Sequence, residues 1–194
     1  MVLFAVALAT ELAIYFAAMA YPIGPAEQQA LQQQAQSLVN ATIGQGPLVA
    51  VAGIFANNVR IALLEMIPVV GALILAAVSF STGQVIQVEA MSTSIPGPVF
   101  GLFLFVFPFA IVELSSYALA VGSGSMLVVA WRRRTLHEEM RVFILEAGVI
   151  IVAVLVAAAM ETMVDVNMVA SIALWLPTAL VIAMIAFYGR RSRS

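Results

Sequence analysis

The residues that could do chemistry are seven polar side chains within or beside long apolar stretches of the sequence. They are Glu11, Asn57, Asn58, Arg60, Glu65, Glu113 and Glu161. If those stretches cross a membrane, a charge at mid-helix costs at least about 2.5 to 3.5 kcal/mol on insertion scales. Each charge therefore needs a partner, a polar path or a place near the membrane surface, and Glu161 is expected near the outer end of its stretch.

Glu11 and Glu113 are the carboxyls that are hardest to place at a membrane surface, because apolar residues extend far on both sides of each. Both are therefore expected to face the interior of a helix bundle. Arg60 is the only Arg outside the charged clusters, and it is the natural counter-ion. The sequence predicts an ion pair of Arg60 with Glu113 or with Glu11 as a structural feature, and a proton or ion pathway through these residues is the alternative.

Helical spacing groups the other polar and small residues. Asn57 and Arg60 are three positions apart and share a helix face, whereas Asn58 is rotated from Asn57 by about 100°. The residues that follow Glu113 at near-helical spacing are small: Ser116, Ala120 and Gly124. Small residues let another membrane helix approach closely, so Glu113 is expected to be buried against a partner helix.

The residue patterns of the common enzyme sites are missing from the sequence. His137 is the only His, and it stands in a charged segment beside Glu138 and Glu139. There is no Cys, no His-Glu-x-x-His or Asp-rich metal pattern, no Gly-x-Ser-x-Gly elbow and no phosphate-binding loop. No catalytic residue, metal ligand or cofactor is therefore predicted, and the protein is not expected to be an enzyme.

The composition determines the fold class. Hydrophobic residues make up 63% of the 194 residues and charged residues only 9%, and the mean hydropathy is +1.09. A soluble domain of this size would carry far more charge on its surface. An all-α, polytopic transmembrane bundle within the lipid bilayer is predicted.

Six spans are expected in a single transmembrane domain. Their approximate limits are 2–21, 48–66, 67–87, 99–131, 142–160 and 168–188, with an outer polar segment at 22–46 and a cytoplasmic loop at 131–141. Residues 18–20 have the small-x-small form of a signal-peptide cleavage site. No basic segment precedes them and Thr10 and Glu11 interrupt the apolar run, so a retained first span is expected.

Two of these stretches leave an alternative open. Residues 47–87 could form two spans with a tight turn near residues 60–68, or a broken or re-entrant helix between Asn57 and Pro68. The stretch 99–131 exceeds one span, so it is either kinked at Pro108 or broken between Pro108 and Glu113.

The distribution of arginines predicts the orientation. There is no Lys, and seven of the eight Arg form two clusters: Arg132, Arg133, Arg134 and Arg141, then Arg190, Arg191 and Arg193. Clusters of Arg in short loops face the cytoplasm, so both chain termini are expected there. Short Arg clusters beside spans suit anionic lipid headgroups rather than nucleic acid.

Three segments resemble those of a known membrane-protein family. Residues 54–65 read Ile-Phe-Ala-Asn-Asn-Val-Arg-Ile-Ala-Leu-Leu-Glu, with Gly71 after them, and resemble a Phe-x-x-Asn-x-(Arg)-x-Ala segment of the stage II sporulation protein M family. Residues 108–114, followed by Gly122 and Gly124, resemble its Pro-His-Gly-x-x-Glu-Leu segment. Residues 157–161 are similar to its late Ala-Ala-x-x-Glu motif. Phe109 and Ala110 replace the His and Gly of the second segment, so no role of that His is carried over.

The resemblance implies a multi-span protein that anchors a peptidoglycan-degrading complex at the membrane in spore formers and is not itself the hydrolase. The leading interpretation is a non-enzymatic scaffold or anchor that recruits protein partners, whose identity the sequence does not reveal, in envelope or membrane remodelling. The alternative is a small transporter or channel with a polar site at mid-depth. A homo-oligomer is compatible with either interpretation, but no motif demands one.

Overall fold

The computed structural model describes residues 2–42, 46–176 and 178–179, and these form eight helices without a strand. The helices are α1 (Val2–Ala20), α2 (Pro25–Thr42), α3 (Pro47–Glu65), α4 (Val70–Met91), α5 (Gly97–Leu104), α6 (Pro108–Arg133), α7 (Leu136–Val166) and α8 (Met168–Ala173). The predicted all-α fold is confirmed.

Five of these helices are long and apolar enough to cross a membrane: α1, α3, α4, α6 and α7 up to Val164. They correspond to the first five predicted spans. Helix α2 lies in the predicted outer polar segment. The sixth predicted span, 168–188, begins with α8, but residues 177 and 180–188 and the arginines at 190, 191 and 193 lie outside the described residues.

The stretch 47–87 contains two separate helices. Helix α3 continues unbroken through Asn57 to Glu65, and a turn at residues 66–69 leads into α4. The turn is tight, because a Cβ atom added to Gly71 would lie 1.8 Å from the carbonyl oxygen of Glu65. Only glycine lets the start of α4 lie this close to the end of α3.

Of the alternatives for residues 99–131, the structure has a break, but it lies at residues 105–107, before Pro108, and α6 continues unbroken through Glu113. Helix α5 ends at Leu104, and Pro108 is in the first turn of α6, where its missing N–H leaves no helical hydrogen bond unmade. Between the two helices, the ring of Phe105 stacks on that of Phe16 in α1 at a centroid distance of 6.2 Å. The aromatic contact holds the broken segment against α1.

Close backbone contacts give the directions of the helices. A Cβ on Gly101 would meet the side chain of Met19, and a Cβ on Gly122 would lie 3.4 Å from the backbone of Phe4. Helices α5 and α6 therefore run antiparallel to α1. Gly83 of α4 lies beside Tyr15, and the turn at 66–69 makes α3 antiparallel to α4.

Helices α6 and α7 form a long antiparallel hairpin. The turn of the hairpin consists of Arg134 and Thr135, and Arg134 is in the left-handed conformation with φ of 61°. The predicted loop at 131–141 therefore consists mostly of the two helix ends. We call this part of the bundle the arginine end, because Arg132, Arg133 and Arg134 lie there. The 31 residues of α7 span about 46 Å, more than the hydrocarbon core of a bilayer.

Candidate functional site

Three carboxyl groups from different helices converge inside the bundle. Glu11 comes from the middle of α1, Glu65 is the last residue of α3, and Glu113 lies in the second turn of α6. The three are within electrostatic range of one another. Glu11 is 1% exposed and Glu65 is fully buried, while Glu113 is half-buried.

Tyr117 completes this group. Its hydroxyl donates a hydrogen bond of 3.0 Å to Oε1 of Glu113, one helical turn earlier in α6, and it is within electrostatic range of Glu11 and Glu65. We call Glu11, Glu65, Glu113 and Tyr117 the acidic cluster. Tyr117 was not among the residues predicted from the sequence, although its spacing of four residues from Glu113 on a helix was a usable signal.

The acidic cluster contains carboxylate oxygens that accept no hydrogen bond. They are Oε2 of Glu11 and both oxygens of Glu65. A buried ionised carboxylate is costly unless it is paired, and the neutral form avoids most of this cost. The described residues supply no cation to the cluster.

The predicted ion pair of Arg60 is not formed among the described residues. Arg60 is exposed on α3, whereas Glu65 of the same helix is fully buried. Five residues correspond to a rotation of about 500°, so the two side chains leave α3 about 140° apart. The buried face of α3 carries Asn58, Ala62 and Glu65, and Arg60 cannot belong to it.

The other polar residues lie in different surroundings. Asn57 is exposed beside Arg60 and donates to Oδ1 of the buried Asn58 at 3.1 Å. Glu161 is half-buried near the end of α7. Glu146 of α7 accepts a hydrogen bond of 2.5 Å from the hydroxyl of Ser123 in α6. The structure thus brings together only three of the seven predicted polar residues, and the pair that joins α6 to α7 was not foreseen.

Helix packing around the cluster leaves little space. A Cβ on Gly124 would lie 2.4 Å from the carbonyl oxygen of Met66, and one on Gly83 would lie 2.5 Å from that of Tyr15. The buried apolar core adjoins the cluster through Ala62, Tyr117 and Ala118. Gly124, one of the small residues predicted to let another helix approach, therefore packs against the turn between α3 and α4.

Two pockets lie toward the ends of helices. One, of about 500 Å³, is at the arginine end and is lined by Trp131, Arg132, Arg134, Leu136 and His137. The other, of about 430 Å³, lies between α2 and the last turns of α4, and its polar lining includes Gln32, Gln36 and Glu89. In the part of the chain that the structure describes, no three His, Asp or Glu side chains are placed to hold a metal ion.

The five apolar helices and the all-helical bundle define a multi-pass membrane protein. The sequence matches the family described as Stage II sporulation protein M over residues 1–164. The chain therefore belongs to the stage II sporulation protein M family, as its three motifs suggested. Comparisons with curated proteins and with solved structures give no match.

Proposed function

We propose that the protein is a non-enzymatic membrane scaffold or anchor that recruits partner proteins, in envelope or membrane remodelling. In this proposal the arginine end faces the cytoplasm, as the positive charge of its short turn favours. The role that the resemblance implies for the family, holding a complex at the membrane, agrees with it.

The observation that carries the proposal is the close packing of the bundle interior. Gly83 and Gly124 bring backbones of neighbouring helices into contact. The pocket at the arginine end and the pocket between α2 and α4 both lie toward helix ends. A transporter needs a polar path to a site at mid-depth, whereas a scaffold needs a rigid body that presents surfaces to its partners.

A second candidate, a small transporter or channel, is favoured by one specific observation. Glu11, Glu65 and Glu113 face one another in the bundle without a cation among the described residues. Carboxyl groups in this setting can carry protons through a membrane. If this is their use, the purified protein must raise proton flux across vesicles, and the Glu11→Gln variant must lose that flux.

One experiment on membranes that hold the protein at its natural level separates the two functions. The membranes are solubilised gently, the complexes are separated in native form, and their masses and compositions are measured. The scaffold proposal expects a complex with at least one different protein in a fixed ratio, together with vesicles that conduct no more protons than empty ones. Two results together contradict the scaffold proposal: the protein occurs only as a monomer or homo-oligomer in native membranes, and vesicles that contain it show a proton flux that depends on Glu11.

A further inference from the structure

The outward face of α3 carries two polar side chains within a membrane span. Arg60 and Asn57 are exposed there, and Ala52, Ala56 and Leu63 continue the same face. We call these five residues the Arg60 face. Among the described residues, Asn57 donates only to its neighbour Asn58, and the side chain of Arg60 makes neither an ion pair nor a hydrogen bond. The face therefore has unused capacity for polar contacts.

Arg60 lies near mid-depth of the bundle. It is six residues from Met66, which contacts Gly124, and α6 runs nine residues further to Arg133. At 1.5 Å per residue Arg60 is about 20 Å from Pro47 at the other end of α3 and about 23 Å from Arg133. It is about 15 Å from the level of Arg141, which lies five residues before the Glu146 that bonds Ser123. A bilayer with its headgroup regions measures about 40 to 45 Å, so both surfaces are too far for the side chain to reach by snorkelling.

The position of the membrane surface at the arginine end supports this depth. Trp131 is 70% exposed beside the three arginines, as expected of an aromatic residue at the headgroup level. Farther along α7, Ile144 and Leu145 are 63% and 71% exposed, which suits contact with lipid tails. Because Arg141 is also exposed on α7, the hydrocarbon region is expected to begin between Arg141 and Ile144, and Arg60 lies inside it.

A second copy of the chain does not offer the complement that Arg60 needs. Among the described residues, the exposed carboxylates are those of Glu27, Glu89 and Glu138. Glu27 lies in the polar helix α2, Glu89 in the last turn of α4 and Glu138 in the first turn of α7, so none is near mid-depth. Of the half-buried carboxyls in the described part of the chain, Glu113 faces the acidic cluster and accepts from Tyr117, and Glu146 accepts from Ser123. The other two, Glu139 and Glu161, lie toward the ends of α7.

We propose that the Arg60 face binds a transmembrane helix of a different protein, which carries an Asp or Glu at mid-depth that pairs with Arg60. Ala52 and Ala56 let the partner helix approach closely, and Asn57 offers a side-chain amide to its polar groups. The proposal rests on the scaffold function and names the class of partner that the scaffold recruits.

The test uses the full chain in lipid vesicles with a designed transmembrane peptide as the probe. The peptide is a leucine-rich helix with a single central Glu, and matched peptides carry Gln or Leu at that position. The chain lacks Cys, so a Ser92→Cys variant takes a single fluorescent donor, and the peptides carry the acceptor. The Glu peptide is expected to bind about tenfold more tightly than the Leu peptide.

Charge reversal identifies the residue responsible. Arg60→Leu is expected to abolish the preference for the Glu peptide, and Arg60→Glu to bind a peptide with a central Arg instead. Leu suits a lipid-facing helix, so folding should survive, and circular dichroism and gel filtration check it. Arg133→Leu, which removes an arginine at the membrane surface, is the matched control and should keep the preference.

Several results overturn the proposal. Equal binding of the Glu and Leu peptides to the unaltered chain, or a preference that survives Arg60→Leu, removes the role of Arg60. Energy transfer between labelled copies of the chain that depends on Arg60 and needs no peptide makes a second copy the occupant. An intrachain cross-link from Ala56→Cys to a Cys placed in residues 180–194 would mean that this part of the same chain covers the Arg60 face.

The outcome is distinguishable from a failure of the scaffold function. If native membranes contain a complex with another protein but the Glu peptide shows no preference, the scaffold function stands without this surface. If the peptide binds through Arg60 but native membranes contain no such complex, the surface stands and the scaffold function fails.

Discussion

At the scale of residues, Tyr117 donates the one side-chain hydrogen bond that the acidic cluster receives within the described part of the chain. Its hydroxyl donates to Glu113 at 3.0 Å, whereas the carboxyl of Glu65 has no hydrogen-bond partner. Removing a donor from a buried pair leaves the acceptor unsatisfied and costs more than the bond contributes on average. The stability of the cluster should therefore depend on this tyrosine more than on the ionisable character of Glu65.

Tyr117→Phe is expected to lower the free energy of unfolding by about 1 kcal/mol, because interhelical and buried hydrogen bonds in membrane proteins contribute about 0.6 to 2 kcal/mol. Unfolding of the purified protein in mixed micelles with increasing denaturing detergent measures the change. Tyr21→Phe, at a tyrosine that is 55% exposed, is the matched control. An equal loss from both variants would refute a special role of the Tyr117 hydroxyl.

Glu65→Gln is expected to leave the free energy of unfolding unchanged or raise it slightly. Gln has nearly the same shape as Glu but no charge, and the Glu65 carboxylate has no partner to lose. The same detergent titration measures this variant. A loss of about 2 kcal/mol or more would mean that the carboxylate has a charged partner, and the account of an unpaired cluster would be wrong.

At the scale of elements, glycine contacts determine how the helices fit together. Gly124 of α6 lies against the backbone of Met66, whereas Gly148 of α7 has open space around it. Both are glycines inside long helices, so they share the same intrinsic effect on helix stability. A difference between substitutions at Gly124 and Gly148 therefore reports on helix packing and not on helix propensity.

Gly124→Ala is expected to destabilise the protein by about 1 to 3 kcal/mol, because the added Cβ would overlap a backbone carbonyl that cannot turn aside. Gly148→Ala is expected to be neutral or to stabilise by up to about 1 kcal/mol, since alanine favours the helix. The midpoint of thermal unfolding of each variant checks the pair. Similar shifts for the two variants would contradict the packing of α6 on the turn between α3 and α4.

Much at this scale could be predicted from the sequence, because bilayer thickness and apolar length determine where membrane helices begin and end. The positions of α1, α3, α4, α6 and α7 followed from that, and Pro108 indicated the break before α6. The separation of Arg60 from Glu65 could also be predicted from helical geometry, because two side chains five residues apart point to nearly opposite faces of a helix. The predicted ion pair, however, joined Arg60 to Glu113 or Glu11, and whether it forms depends on which face of α3 is buried, which the spacing alone does not determine.

The acidic cluster could not be predicted in the same way. Glu11, Glu65 and Glu113 are far apart in the sequence, and their meeting depends on which helices become neighbours in the bundle. Helices in a membrane associate through the detailed fit of small residues and not through a general hydrophobic force. That fit, at positions such as Gly83 and Gly124, appears only when the helices are assembled.

At the scale of the whole molecule, the sidedness of the bundle follows from its charge. The arginine end carries three adjacent arginines in a short turn, and the turn after α4 contains no basic residue. In intact cells or right-side-out vesicles, Ser92→Cys should react with a membrane-impermeant thiol reagent from outside, and Thr135→Cys only after the membrane is opened. The reverse pattern would contradict the proposed orientation.

The packed interior is the central claim about the whole molecule, because it separates a scaffold from a transporter. Ala7, Ala62 and Ala118 lie in the core shared by α1, α3 and α6, and replacing them by Cys in this Cys-free chain adds only a small side chain. The most direct measurement is the reaction rate of each variant with a small water-soluble thiol reagent, compared with Ser92→Cys and Thr135→Cys. The account predicts that the three core cysteines stay unreactive from both sides of the membrane while the two turn positions react. Rapid reaction of any core cysteine from one side, in a protein that remains folded, would reveal a water-filled path and contradict the account.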